Sequence, residues 1–91
     1  MNPNKRIMKL RRQIDAVDRR IIHDVRERLK LAGLIGQEKQ RRGLSIIDPQ
    51  READVISNIE KQATRKKVSV VFIKSLFRLL INESRKEQHG G

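Results

Sequence analysis

The sequence predicts an all-α protein: three helices per chain, long, short and medium, in an intertwined six-helix homodimer. Three observations predict it. Apolar residues recur at alternating spacings of three and four, the period of a helix with one buried stripe. Both prolines, Pro3 and Pro49, sit where a helix starts rather than inside one. The first stripe also runs on so far that the rest of a 91-residue chain cannot cover it.

The first helix is predicted over about residues 3–42. Asn2 is its N-cap and Pro3 its first helical residue. Ile7, Leu10, Ile14, Val17 and Ile21 begin the stripe, which continues through Val25, Leu29, Ala32 and Ile35. Gly43 follows as a C′ residue. Ile46 and Ile47 form a short apolar link. Asp48-Pro49 then repeats the cap-and-proline signal for a second helix over about 49–64, with Val55, Ile56, Ile59 and Ala63 as its apolar face. Arg65-Lys66-Lys67 suits a helix C-terminus and turn. Ser69 caps a third helix to about Gln88, its face made by Phe72, Ile73, Leu76, Phe77, Leu80 and Ile81. Residues 89–91 read as a flexible tail, and 1–91 as one domain.

Size then argues for a partner. A helix of about 40 residues is about 60 Å long, whereas a compact domain of this length has a radius of gyration of about 12 Å. Either the helix breaks near Gly33–Gly36 and folds back, or a second copy covers the overhang. A homodimer is the simpler solution.

Composition narrows the function. Apolar and charged residues each make up 36%, lean for a core but too rich in Ile, Val and Leu for disorder. With no cysteine there is neither a disulfide framework nor a cysteine metal site. His23 and His89 lie far apart, so no metal site is expected. No apolar run approaches the roughly 20 residues of a membrane span, and MNPNKRIMKL turns polar too quickly for a signal peptide. The expected location is cytoplasmic. A net charge of +11, from 22 basic and 11 acidic residues, favours anionic partners. Phe72 and Phe77, the only aromatics, both belong to a helical apolar pattern, which leaves none to stack on bases and argues against nucleic acid.

The informative positions are polar residues that interrupt an apolar stripe. Ile14, Ile21, Arg28 and Ile35 are spaced by seven, so Arg28 stands where an apolar residue is expected. Lys39 follows in nearly the same direction, about 16 Å further along the axis. Ala32 and Gly36 between them leave room for a ligand or a close helix. The third helix turns polar at Ser84 and Gln88, and the second at Glu52, next to Arg51 and one turn after the Asp48 cap. Together these make a pocket for a small, multiply anionic ligand. Arg11 lies about 25 Å before Arg28 on the same helix. It either pairs with Asp15 at i+4 or reaches the site of an antiparallel partner. Arg41-Arg42 and Arg65-Lys66-Lys67 read as solvated basic surface.

In this order and spacing, the pieces resemble the all-helical chorismate mutases from about Leu10 to Gln88. The matching residues are Leu10-Arg11, Ile14-Asp15 and Asp18; Arg28, Ala32, Ile35, Gly36 and Lys39; Asp48-Pro49-Gln50-Arg51-Glu52; and Ile81, Glu83-Ser84 and Gln88. The resemblance implies an intertwined homodimer that rearranges chorismate to prephenate on the way to phenylalanine and tyrosine, without a cofactor. It implies that Arg28 and the partner's Arg11 hold the two carboxylates, with Arg51 and Ser84 completing those contacts. Lys39 and Gln88 would bond the breaking ether oxygen, Glu52 the ring hydroxyl, and Asp48 would contribute through its backbone. Asp24 departs from the family pattern, which has an apolar residue there, and its spacing allows a pair with Arg20 or Arg28.

Four other readings fit parts of the sequence, one of them a catalytically idle regulatory or dimerisation domain. An isochorismate pyruvate lyase or an amino-deoxychorismate mutase would share the fold and most of the cationic site. A basic helical nucleic-acid-binding module would explain the charge but not the inward Arg28, Lys39 and Gln88.

Overall fold

A computed structural model of the chain describes residues 3–90, with the backbone alone at Pro3. It contains three helices: α1 (Pro3–Arg42), α2 (Pro49–Lys66) and α3 (Val70–Gln88). The expected Asn2 cap lies outside the described residues.

α1 runs unbroken through Gly33 and Gly36, so the fold-back alternative is not adopted. It stops where Gly43 takes a left-handed φ of +66°. The Gly43 N–H then donates to the Gln40 carbonyl at 3.2 Å and the Leu44 N–H to that of Lys39 at 2.8 Å, which satisfies two orphan carbonyls of the last turn. At the start of α2 the Asp48 side chain accepts from the Arg51 N–H at 3.1 Å, with Pro49 as the first helical residue. Ser69 caps α3 in the same way, accepting from the Phe72 N–H at 3.2 Å.

α2 ends two residues later than the sequence suggested, at Lys66 instead of Thr64. The terminator is Lys67, with φ +57°. Its N–H donates to Thr64 O at 3.2 Å and that of Val68 to Ala63 O at 2.9 Å, the same closure that glycine gives α1. Nothing in the side chain of lysine signals this conformation. Of the expected 89–91 tail, His89 and Gly90 are bonded to the end of α3: the His89 N–H donates to Arg85 O at 3.1 Å and the Gly90 N–H to Glu87 O at 3.0 Å, and Gly91 lies outside the described residues.

α3 is the central element, packed against both α1 and α2, which among the described residues do not pack on each other. A Lys74–Glu60 ion pair of 2.9 Å adds to the α2–α3 seam. Among the described residues the buried apolar side chains are few: Ala32 on α1, and Ile59 and Ala63 on α2. The radius of gyration is 17.3 Å and the extents are 62 × 25 × 15 Å, so the long dimension is that of α1. Its N-terminal half projects from the rest. There Ile7, Leu10, Ile14, Val17 and Ile21 are each 40–58% exposed. Single exposed apolar residues are ordinary, but a continuous stripe of this length is not.

The left-handed lysine generates a prediction. A side chain with a Cβ at this φ costs about 1 kcal/mol relative to glycine. Lys67→Gly should therefore raise stability by about that amount, read as a higher midpoint in urea denaturation.

Candidate active site

The inward face of α1 places Arg28, Leu31, Ala32, Ile35 and Lys39 along one wall of a cavity of about 410 Å³. The N-terminal end of α2 adds Asp48, Arg51, Glu52 and Val55, and the C-terminal end of α3 adds Ile81, Ser84, Arg85 and Gln88. Of the candidate site residues, Arg28, Lys39, Asp48, Arg51, Glu52, Ser84 and Gln88 meet here and Arg11 does not. That residue is exposed on the projecting half of α1, and it forms no ion pair with Asp15 among the described residues.

Two of the cations, Arg28 and Lys39, are held by uncharged partners. Arg28 Nη1 donates to the buried Ser84 hydroxyl, and the guanidinium carbon lies 5.9 Å from the centroid of the Phe77 ring, within cation–π range. Burial, and then the charge of Arg51, hold the Arg28 guanidinium below its usual pKa. It stays charged at any physiological pH, so the two arginines face each other at an energetic cost that an anion between them would relieve. Asp24 does not supply that charge: its carboxylate lies 3.3 Å from His23 Nδ1, and it pairs with neither Arg28 nor Arg20.

Lys39 is fixed from two sides. Its ammonium donates to the Ile46 carbonyl at 2.8 Å and to Gln88 Oε1 at 3.0 Å. An ammonium has three donors, so one is left for a ligand. The bond to Gln88 also sets the amide: with Oε1 turned to Lys39, the NH₂ group is the end free to donate. Glu52 is gripped by Arg85, whose Nε donates to Oε2 at 2.8 Å and whose Nη2 donates to Oε1. That hydrogen bonding keeps the Glu52 carboxyl below its ordinary pKa. Four cationic side chains against two carboxylates leave the lining two positive charges in excess. A small dianion fits that balance.

Residues 10–89 match the chorismate mutase type II family. The chain belongs to that family. It is 36% identical over 75 residues to a T-protein of Enterobacter agglomerans, and 32% identical over 75 residues to a T-protein of Haemophilus influenzae. Each match covers 82% of this chain and 20% of the relative, so the chain spans about a fifth of those T-proteins. It is 27% identical over 81 residues to a chorismate mutase of Methanocaldococcus jannaschii, covering 89% of this chain and 82% of that protein.

Sequence reasoning missed one charged residue of this chorismate mutase family member. Arg85 lies in the last turn of α3, where a basic side chain reads as a complement to the helix dipole. Its spacing held the missing signal: it falls four residues after Ile81 and three before Gln88, on the face that lines the cavity. The role of the glycines also becomes specific. A Cβ on Gly36 would stand 2.5 Å from the Gln88 Cα and 2.8 Å from its carbonyl carbon, a backbone that cannot swing aside. Gly36 thus makes room for α3, not for a ligand. A Cβ on Gly33 would meet only Glu87 O at 3.9 Å, an ordinary contact.

The two glycines should therefore respond oppositely to alanine. Gly36→Ala forces α3 away from α1 and should cost at least about 2 kcal/mol, within the range of overpacking. Gly33→Ala should be neutral or stabilise the helix by up to about 1 kcal/mol. Urea denaturation of the two variants checks this, and equal effects would contradict the close α1–α3 approach.

Proposed function

We propose that this chain rearranges chorismate to prephenate, as a homodimer in which the partner's Arg11 completes each site. The observation that carries the reading is the convergence of Arg28, Lys39, Arg51, Glu52, Ser84 and Gln88 on one cavity, within the segment that matches the family.

The reaction is unimolecular and pericyclic. It requires the substrate in a folded, reactive conformer and donors at the ether oxygen where negative charge develops. Arg28, braced by Ser84 and Phe77, holds one carboxylate in this reading, with Arg51 close enough to share the charge. The partner's Arg11 holds the other. The third ammonium donor of Lys39 and the NH₂ of Gln88 meet the ether oxygen. Both donors are restrained by bonds within the protein, so little reorganisation accompanies the transition state. Glu52 accepts from the ring hydroxyl, and Asp48 contributes from the N-terminus of α2.

The homodimer is supported by the exposed stripe of α1. Five aliphatic side chains line it, each worth up to about 1.5–3 kcal/mol on complete burial. The same half of the helix carries Arg11, so covering the stripe with a second copy also brings that arginine to a site about 25 Å from its own Arg28.

The direct test is to follow chorismate by ultraviolet absorbance and identify the product. Prephenate supports the reading, and pyruvate release or an amino-prephenate product would replace it with a relative's chemistry. Lys39→Ala should lower kcat by about 100-fold or more, the loss typical of an oxyanion donor. Gln88→Glu should make activity rise as pH falls, because only the protonated carboxyl donates; a flat profile from about pH 5 to 8 would exclude Gln88 as a donor.

The shared site has a separate test. Arg11→Ala and Arg28→Ala chains, each inactive, are unfolded together and refolded. Half of the random dimers are then mixed, and each has one site with both arginines intact, so about a quarter of the original activity should return. No recovery would mean that each site is built from one chain.

A further inference from the structure

We infer that Arg85 is a positioning residue for this reaction, clamping the Glu52 carboxylate from the end of α3 so that it meets the ligand's hydroxyl in one orientation. This rests on the function proposed above.

The geometry distinguishes Arg85 from an ordinary surface ion pair. It joins different helices, 33 residues apart in sequence. The guanidinium approaches side-on, with Nε bound to one carboxylate oxygen and Nη2 to the other. Two parallel bonds from a planar donor fix both the position and the rotation of the carboxylate, which a single ammonium cannot do. Each oxygen keeps a further lone pair, so the clamped carboxylate still accepts from a hydroxyl on the cavity side.

The pair also occupies a particular place in the fold. A second hollow of about 500 Å³ lies along the α2–α3 seam, lined in part by Ser57, Glu60, Arg78 and Asn82. Glu52, Ile81 and Arg85 line both this hollow and the candidate active site. The clamp and Ile81 are therefore the wall between them. Without Arg85, Glu52 has room to rotate toward the second hollow and away from the substrate.

Charges on every neighbouring element act on Glu52: Arg85 from α3, Lys39 from α1 and Asp48 at the start of its own helix. The hydrogen bond from Arg85 outweighs the rest in lowering its pKa. Loss of Arg85 should therefore raise the pH at which Glu52 takes up a proton and ceases to be a pure acceptor.

The experiment places Arg85→Leu and Arg85→Lys in the native chain and in a Glu52→Ala background. In the native chain Arg85→Leu should raise KM about tenfold with a smaller change in kcat, because the hydroxyl contact exists in both ground and transition states. Arg85→Lys should recover only part of that loss. In the Glu52→Ala background Arg85→Leu should change kcat/KM by less than about twofold, since a residue acting through another has nothing left to position. A tenfold effect persisting in that background would mean that Arg85 touches the substrate itself and would overturn the proposal. No effect in the native chain would do the same.

Carboxyl NMR titration of Glu52, with circular dichroism to confirm folding, reads the clamp without reference to the reaction. Glu52 should titrate at higher pH in Arg85→Leu, and an unmoved titration overturns the clamp. If the native chain leaves chorismate unchanged while the titration moves, the proposed reaction fails and the clamp stands. If Arg85→Leu does not fold, Arg85→Lys carries both measurements, with a smaller KM rise expected and a wild-type KM overturning the proposal.

Discussion

The close approach of α3 to α1 at Gly36 is the constraint on which the rest of the molecule depends. Only a residue without a Cβ allows the Gln88 backbone to reach this position. Once there, Gln88 accepts the Lys39 ammonium, and one turn earlier Ser84 is buried against Arg28. α2 packs on α3 rather than on α1, so α3 links the two. A single missing methyl group thus permits the close approach of α3 to α1 and, with it, the Lys39–Gln88 and Arg28–Ser84 contacts.

The cavity gathers more positive charge than its own carboxylates balance, and such an arrangement normally destabilises a fold. Three of its four cations are tolerated because each is spoken for by a neutral or opposite group. Arg28 has a hydroxyl and an aromatic face, Lys39 has a backbone carbonyl and an amide, and Arg85 has a carboxylate. Arg51 is the exposed member, at the rim. The partners hold the cations in place without neutralising most of them. That combination of geometric restraint and residual charge is what a binding site for an anion requires.

The three helices were legible in the sequence to within two residues at their ends, because periodicity and caps are local signals. The exceptions have local causes of a different kind. Lys67 ends α2 in a conformation that its side chain does not advertise, so the helix runs past Thr64. The site was legible wherever a polar residue broke an apolar stripe, as at Arg28, Ser84 and Gln88. Arg85 was not, because a basic residue in a final helical turn has an adequate local explanation, and its pairing with Glu52 depends on how α2 lies against α3. Asp24 illustrates the reverse case. Its spacing offered Arg20 and Arg28 as partners, yet the side chain turns to His23. Spacing on one helix proposes neighbours, while packing decides among them.

The bond from Lys39 to the Ile46 carbonyl links the cavity to the connection between α1 and α2. Connections of this kind are usually where a protein best absorbs insertions and deletions, since their backbone has few obligations. Here one carbonyl of the link is an anchor for a charged group facing the ligand cavity. The residues from Gly43 to Asp48 therefore carry a length constraint that their exposure conceals. A chain could vary freely in the polar faces of its helices, or at the turn around Lys67, and keep its cavity intact. One residue more or fewer in this short link would shift the carbonyl and, with it, the lysine. Tolerance to change in this protein is set by which backbone atoms are in use, and the surface map of exposed loops is a poor guide to it.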